Sequence, residues 1–182
     1  ARGLALSHLN LWNESIRSGQ SLTICEDDAI FRLDFEELQG KLLEDLPAAW
    51  DLVCWGWNFD SVLSLNVLPG VSPAVVLFNQ DELRNSIGVF RASKVRPRLL
   101  PLDKCFGTFC YSISPQGAKK FRSLCFPLGN GSVYVPGLQE NLLNIGLDIA
   151  MNRFYPETRS FACLPPIAVT RNEHQHSTVQ TR

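Results

Sequence analysis

The sequence predicts an α/β domain in which helices flank a central mixed, mostly parallel sheet. Strand-like apolar runs alternate with segments of helical periodicity along the 182 residues, an order typical of one sheet covered by helices. A hydrophobic content of 45% and a charged content of 19% favour a packed core over disorder. A third observation is an apolar run, residues 21–31, that three consecutive carboxylates interrupt. We expect Glu26, Asp27 and Asp28 to lie at the carboxyl end of a central strand, where ligands of such sheets bind.

The first predicted elements are a helix and the strand that carries the carboxylates. Residues 3–18 have helical periodicity and Gly19 ends the helix. The apolar face of this helix contains Leu4, Leu11, Trp12 and Ile16. Residues 21–25 form the strand that leads into the acidic run.

A second helix and a second buried strand follow. Asp34 and Glu37 have the spacing of a capping box, which predicts a helix from there to about Leu46. Residues 51–57 read as a buried strand, and residues 58–73, rich in polar residues, Pro and Gly, read as a long loop. The remaining predicted elements are a strand at 74–78, no assigned structure at 79–104, a strand at 106–113, a helix capped by Ser114 that ends near Leu124, a Gly-rich loop at 129–137 and a helix at 138–145.

The three carboxylates are the main chemical signal. Adjacent like charges repel each other, and burying them beside apolar residues is costly unless a cation or another partner compensates. Mg²⁺ and Mn²⁺ take carboxylate oxygens and leave positions open for phosphate oxygens. The run therefore suggests a metal–diphosphate site and a nucleotide-sugar substrate. The alternative is an acidic run on a solvated face.

Three blocks, in order, resemble glycosyltransferase family 25. Residues 3–8 fit Gly-x-x-x-Ser-His, residues 26–29 read Glu-Asp-Asp-Ala, and residues 107–119 fit Gly-Thr-x-x-Tyr-x-Ile-x-x-x-Gly-Ala-Lys. The family contains bacterial lipooligosaccharide β-galactosyltransferases and collagen hydroxylysine galactosyltransferases. The resemblance covers about residues 3–125 and is looser beyond Leu128, where it rests on Asp148, Pro165-Pro166 and Ser177-Thr178.

The resemblance implies a nucleotide-sugar transferase (GT-A-like) domain that transfers a sugar with inversion. The expected donor is a UDP-hexose, above all UDP-galactose, and the expected acceptor is a saccharide of lipooligosaccharide or a surface glycan. Mn²⁺ or Mg²⁺ would bind through Asp28 with Glu26. The expected substrate-binding residues are Ser7, His8, Glu26, Asp27, Gly107 and Thr108.

Several of these residues have alternative interpretations. Asp148 is the expected general base because an inverting transfer needs a carboxylate to take the acceptor proton, and Asp103 competes for that role. Asp27 can instead cap its turn, and His8 can be a packing histidine. Gly107 and Tyr111 can belong to a core strand. Trp55 and Trp57 stack on a sugar or lie in the core, and His174 and His176 are taken as incidental residues of a polar tail.

The domain is expected to span residues 1–170, with a polar tail at 171–182. Family members usually begin with a strand and an Arg-rich turn before the Ser-His block, and this chain enters at that block. The alternative function is therefore a truncated, weakly active or inactive glycosyltransferase-like domain, and copies of the chain are expected to associate. A metal-dependent phosphohydrolase is a third interpretation. It is disfavoured because no nearby His or Asp provides ligands for a second metal ion.

Charge and cysteine content limit the partners. A net charge of −1 gives no support for binding nucleic acid, and no run approaches the ~20 apolar residues of a membrane span. The six cysteines form no Cys-x-x-Cys pair and are expected to be reduced. We expect a cytoplasmic protein that meets the inner face of the membrane through its acceptor.

Overall fold

A computed structural model of the chain describes residues 2–144 and 146–172. That part contains six α-helices, a 3₁₀ helix at Tyr155–Glu157 and eleven β-strands. The helices are α1 (Arg2–Ser18), α2 (Phe35–Glu44), α3 (Gln80–Asn85), α4 (Ile87–Ala92), α5 (Pro115–Cys125) and α6 (Leu147–Asn152). The strands are β1 (Leu22–Cys25), β2 (Ala29–Phe31), β3 (Leu52–Cys54), β4 (Val62–Leu68), β5 (Ser72–Leu77), β6 (Arg98–Lys104), β7 (Cys110–Ile113), β8 (Ser132–Val135), β9 (Glu140–Leu143), β10 (Ser160–Leu164) and β11 (Ala168–Thr170).

Seven strands form the main sheet in the order β1-β7-β3-β10-β6-β4-β5. Among the described residues β3 and β10 are its one parallel pair, and the other neighbours are antiparallel. The α/β class and the mixed sheet are confirmed, but the prediction of a mostly parallel sheet is wrong. The physical reason is that the β4–β5 hairpin needs no helical crossover, and that β7 lies between β1 and β3 and runs antiparallel to both.

The acidic run follows β1, as predicted, but β1 is not a central strand. It pairs with β7, and no other described strand pairs with it, so it lies at one edge of the sheet. β2 leaves the main sheet after the turn and pairs antiparallel with β11, which places Thr170 opposite Ala29. The acidic turn therefore joins the edge of the main sheet to a small two-stranded sheet.

Helix α1 is confirmed and packs on α5. Trp12 is fully buried, and its ring meets Phe121 and Phe126 at centroid distances of 6.2 and 5.9 Å. Leu11, predicted on the same face, is instead 40% exposed. Gly19 ends the helix in the left-handed region, with φ of 68°, and its N–H donates to the Ser15 carbonyl.

Helix α2 is confirmed, but its predicted capping box is wrong. Asp34 occupies the N-cap position and makes no side-chain capping bond. Its two carboxylate oxygens instead accept hydrogen bonds from the guanidinium of Arg32, each at 3.0 Å. The carboxylate predicted to cap α2 therefore pairs with a buried arginine instead.

Residues 58–104 hold more regular structure than predicted. The predicted loop at 58–73 contains β4 and the start of β5, and the unassigned segment 79–104 contains α3, α4 and β6. Ser64 is buried and donates to Asp103, so a polar residue in this strand is satisfied inside the sheet rather than by solvent.

The second half of the chain contains one confirmed cap and one wrong helix. Ser114 accepts a hydrogen bond from the Gly117 N–H at 3.0 Å, as predicted for the start of α5. The predicted loop at 129–137 contains β8. The predicted helix at 138–145 is wrong over its described residues, 138–144, which contain a turn and strand β9, paired with β8. The next helix, α6, begins at Leu147.

Residues 173–182, which contain His174 and His176 and most of the predicted polar tail, lie outside the described residues. In the part of the chain that is described, no helix is long and apolar enough to cross a membrane.

Candidate functional site

The three carboxylates occupy a tight turn between β1 and β2. The Glu26 N–H donates to the Phe109 carbonyl at 2.7 Å, and the Glu26 carbonyl accepts from the Ala29 N–H at 3.2 Å. Asp27 and Asp28 are the central residues of this turn and are exposed. Because Asp27 and Asp28 are exposed, solvent and salt screen the repulsion between their carboxylates.

Glu26 is the carboxylate that faces other predicted site residues. Its Oε1 accepts a hydrogen bond from the Thr108 hydroxyl at 3.0 Å. The same oxygen lies 3.8 Å from Nε2 of His8, whose ring is buried. Three predicted residues, from α1, the acidic turn and the loop before β7, therefore meet at one carboxylate oxygen.

A buried hydrogen-bond chain fixes the orientation of His8. The Tyr111 hydroxyl lies 2.7 Å from Nδ1 of His8 and accepts from the Trp12 indole at 2.8 Å. The indole N–H can only donate, so the tyrosine oxygen accepts from Trp12 and shares a second hydrogen bond with Nδ1 of His8. These bonds hold the ring so that its other nitrogen, Nε2, faces Glu26.

Tyr111 belongs to the core, as the alternative interpretation held, and it also contacts a predicted site residue. Burial raises the pKa of its phenol, so the hydroxyl keeps its proton at neutral pH. The rings of His8 and Tyr111 stack with an interplanar angle of 12°. Both residues lie in the motif blocks, but nothing in their spacing indicated that they form a pair.

Asp28 points to a different partner. Its Oδ2 accepts a hydrogen bond from the Thr170 hydroxyl at 2.7 Å. Thr170 ends β11 and was not predicted as a site residue, because only the β2–β11 pairing brings it to the turn. Each hydroxyl bond occupies one oxygen of its carboxylate, Oε1 of Glu26 and Oδ2 of Asp28.

Asp148 lies in the first turn of α6, close to Gly107 and Glu26. Burial raises the pKa of its carboxyl and the charge of Glu26 raises it further, while backbone N–H groups, including those of Ile149 and Gly107, oppose the shift. Gly107 has a φ of 91°, and a Cβ there would lie 2.5 Å from the Asn58 side chain. The glycine therefore allows a backbone path that a larger residue would block.

Other candidates are engaged elsewhere. The Ser7 hydroxyl donates back to the Gly3 carbonyl of its own helix at 3.2 Å. Asp103 accepts from Ser64 at 2.7 Å and pairs with Lys104 at 2.8 Å. Trp55 and Trp57 are buried in the core rather than placed for stacking on a sugar.

The oxygens of Glu26 and Asp28 suit a hard cation that also binds a diphosphate. Among the described residues no group of three or more His, Cys, Asp or Glu side chains is arranged to hold a metal ion. A cation at this turn would therefore take its remaining ligands from the substrate and water. An open groove with Thr23, Phe31 and Phe35 on its walls lies beside β1 and contains none of these carboxylates.

A mixed α/β fold with a carboxylate-bearing turn at the end of a strand is compatible with a nucleotide-sugar transferase. The chain belongs to glycosyltransferase family 25, whose family model, described as a lipopolysaccharide biosynthesis protein family, matches residues 2–129. Membership implies glycosyltransferase activity in lipopolysaccharide biosynthesis, and it implies a nucleotide-sugar donor and an acceptor as substrates. No curated protein matches the chain in sequence.

Proposed function

We propose that the protein transfers galactose from UDP-galactose, with inversion, to a saccharide acceptor of lipooligosaccharide or a related surface glycan. The family supports sugar transfer, and the donor, the acceptor and the stereochemistry are the proposal. The supporting observation is the convergence of His8, Glu26, Thr108 and Asp148, which are far apart in the chain, at one end of β1.

Asp148 is the proposed general base. The acceptor hydroxyl must lose a proton as it attacks the sugar, and a carboxylate with a raised pKa is a better proton acceptor than an ordinary one. Burial supplies that raised pKa. Asp103 is less suited, because Ser64 and Lys104 already bind its two oxygens.

Glu26 and Asp28 are the proposed holders of the cation and of the donor. A bound Mg²⁺ or Mn²⁺ would neutralise charge on the leaving diphosphate. Asp28 supplies the carboxylate for that cation, and Glu26, oriented by Thr108 and His8, assists it and contacts the ribose or the sugar. Asp27 stabilises the turn and Gly107 lets the backbone approach the donor closely.

Turnover tests the proposal. UDP release from UDP-galactose with a saccharide acceptor is measured for the wild-type protein, Asp148→Asn and Asp28→Ala. Asp148→Asn should lower turnover by about 10²–10⁴-fold, the usual effect of losing a general base. Asp81→Asn is the control, because Asp81 is an exposed carboxylate of α3 that pairs with Arg84.

Metal binding has its own test. Calorimetry with Mn²⁺ should show tighter binding when UDP is present, because the diphosphate supplies the remaining ligands. Asp28→Ala should weaken that binding, and Asp81→Asn should not. Equal Mn²⁺ binding by the wild-type protein and Asp28→Ala would contradict the assignment. A chain that binds Mn²⁺–UDP normally but transfers no sugar would instead favour the weakly active alternative.

The proposed acceptor also suggests where the protein works. A lipid-linked saccharide lies at a membrane surface, so the proposed enzyme would be cytoplasmic and would reach the inner face of the membrane through its acceptor. Vesicles that carry the lipid-linked acceptor should bind the protein, and vesicles of the same lipids without it should not.

A further inference from the structure

Two cysteines lie side by side where the acidic turn begins. Cys25 ends β1, Cys110 begins β7, and the two are directly opposite in the antiparallel ladder. Their sulfur atoms are 3.3 Å apart. Neither residue has a part in the proposed transfer reaction.

The ladder places this pair at a position where a disulfide fits. The next pair along, Glu26 and Phe109, is hydrogen-bonded through its backbone, so Cys25 and Cys110 form a non-hydrogen-bonded pair, whose Cα atoms are typically about 4.5 Å apart. That separation is within the range that disulfides span. The Thr23 and Ser112 hydroxyls, in the next pair on the same face, are likewise in contact at 2.8 Å.

Access distinguishes this pair from a second one. Cys54 and Cys105 are also close, with sulfur atoms 3.4 Å apart, but both are buried. Cys25 is exposed at the sheet edge, and Cys110 lies beneath it. A reagent in solution can therefore reach Cys25 and cannot reach Cys54 or Cys105 without unfolding the core.

We propose that Cys25 and Cys110 are an oxidation site that small disulfides convert into a cross-strand disulfide. The Cys25 thiolate attacks one sulfur of the reagent, breaks its S–S bond and releases one thiol. The Cys110 thiol then attacks the Cys25 sulfur while its proton passes to the departing reagent thiolate, which forms the protein disulfide and releases the second thiol. Two protein thiols are oxidised and one reagent disulfide is reduced to two thiols.

The bond would join the two strand ends that lead to the acidic turn. Glu26 follows Cys25 directly, and Thr108, which donates to Glu26, lies two residues before Cys110. The inference does not depend on the proposed sugar transfer, because it concerns the covalent state of the folded chain.

The test treats the native protein with 2-hydroxyethyl disulfide, a neutral reagent that the neighbouring carboxylates do not repel. After quenching with acid, intact mass and peptide mapping should show a loss of about 2 Da and a Cys25–Cys110 link. Two of the six thiols should be lost. Cys110→Ser should keep the reagent on Cys25, Cys25→Ser should resist it, and Cys54→Ser should react as the wild-type protein does.

Three results would overturn the proposal. They are a mixed disulfide that persists on Cys25 in the wild-type protein, no reaction at Cys25, and a Cys54–Cys105 link that forms first. Because Cys25 is exposed, Cys25→Ser should keep the fold even if the buried Cys110→Ser does not. Circular dichroism of each variant before treatment verifies this.

Discussion

Tyr111 connects the core to the site through one hydroxyl that is hydrogen-bonded to both Trp12 and His8. It accepts from Trp12 and is hydrogen-bonded to His8, so Tyr111→Phe leaves two buried polar groups without this partner. We expect a loss of about 1–3 kcal/mol in unfolding free energy, measured by urea denaturation. Tyr134→Phe, at a 54% exposed tyrosine, is the control and should change little. Equal stability of the wild-type protein and Tyr111→Phe would show that the hydrogen bonds of the Tyr111 hydroxyl do not stabilise the fold.

Asp148 is expected to limit stability at neutral pH. Burial raises its pKa in the folded state above the ordinary value of 3.8, so the folded protein holds the proton more tightly than the unfolded chain does. Stability from this group is therefore present below the unfolded pKa and is lost as the pH rises through the folded pKa.

Asp148→Asn should therefore raise the melting temperature at pH 7 while it lowers turnover. The gain should shrink toward zero as the pH falls below 3.8, where the wild-type carboxyl is neutral as well. Differential scanning calorimetry across pH measures both effects. A melting temperature at pH 7 that falls in Asp148→Asn would contradict the stated cause of the shift.

The sequence indicated the acidic residues of the site but not their partners. Glu26 and Asp28 stand out because three carboxylates interrupt an apolar run. The Thr170–Asp28 and Tyr111–His8 contacts join residues 142 and 103 positions apart. Such contacts depend on strand register and helix packing, which no local pattern encodes.

Among the elements, the start of α2 shows how a tertiary contact overrides a local motif. Asp34 and Glu37 fit a capping box, but the side chain of Arg32 is only 2% exposed. Leaving its buried charge unpaired would cost more than leaving the helix end without a side-chain cap, so Asp34 pairs with Arg32. The missed strands β4 and β9 have the same origin. Their Ser, Asn and Leu residues read as loop or helix, and pairing with β6 and β8 decides the outcome.

Asp34→Ala should destabilise the protein by roughly 2–3 kcal/mol, because it leaves a buried guanidinium without its carboxylate. The Arg32 hydrogen bonds lower the pKa of Asp34. The stability that the Asp34 carboxylate contributes is therefore present above the ordinary carboxyl pKa, and it is lost as the pH falls through the lower pKa that Asp34 has in the folded state. Urea denaturation at pH 7 and at acid pH measures this.

The matched control at this helix is Glu37→Ala. Glu37 also pairs with a cation, Lys41, but both side chains are exposed. Exposed pairs are screened by solvent and contribute little. Similar losses in the two variants would contradict the argument from burial.

At the scale of the whole molecule, the sheet has two edges of different character. β5 forms one edge and contains Pro73, a residue that discourages pairing with another strand. β1 forms the other edge and contains neither proline nor charge. Its pairing with β7 leaves the N–H and C=O groups of Thr23, in a non-hydrogen-bonded pair, directed away from β7.

We expect copies of the protein to associate through β1, edge to edge, because no other described strand pairs with the backbone groups that point away from β7, beside the groove walls formed by Phe31 and Phe35. Sedimentation velocity should show a species heavier than the monomer that grows with protein concentration. Thr23→Lys puts a charge on each of the two facing strands and should shift the distribution to monomer. Leu77→Lys places the same charge on β5, where Leu77 is 72% exposed, and should leave association unchanged. A monomer at every concentration, or an equal effect of both substitutions, would show that the β1 edge is not the contact.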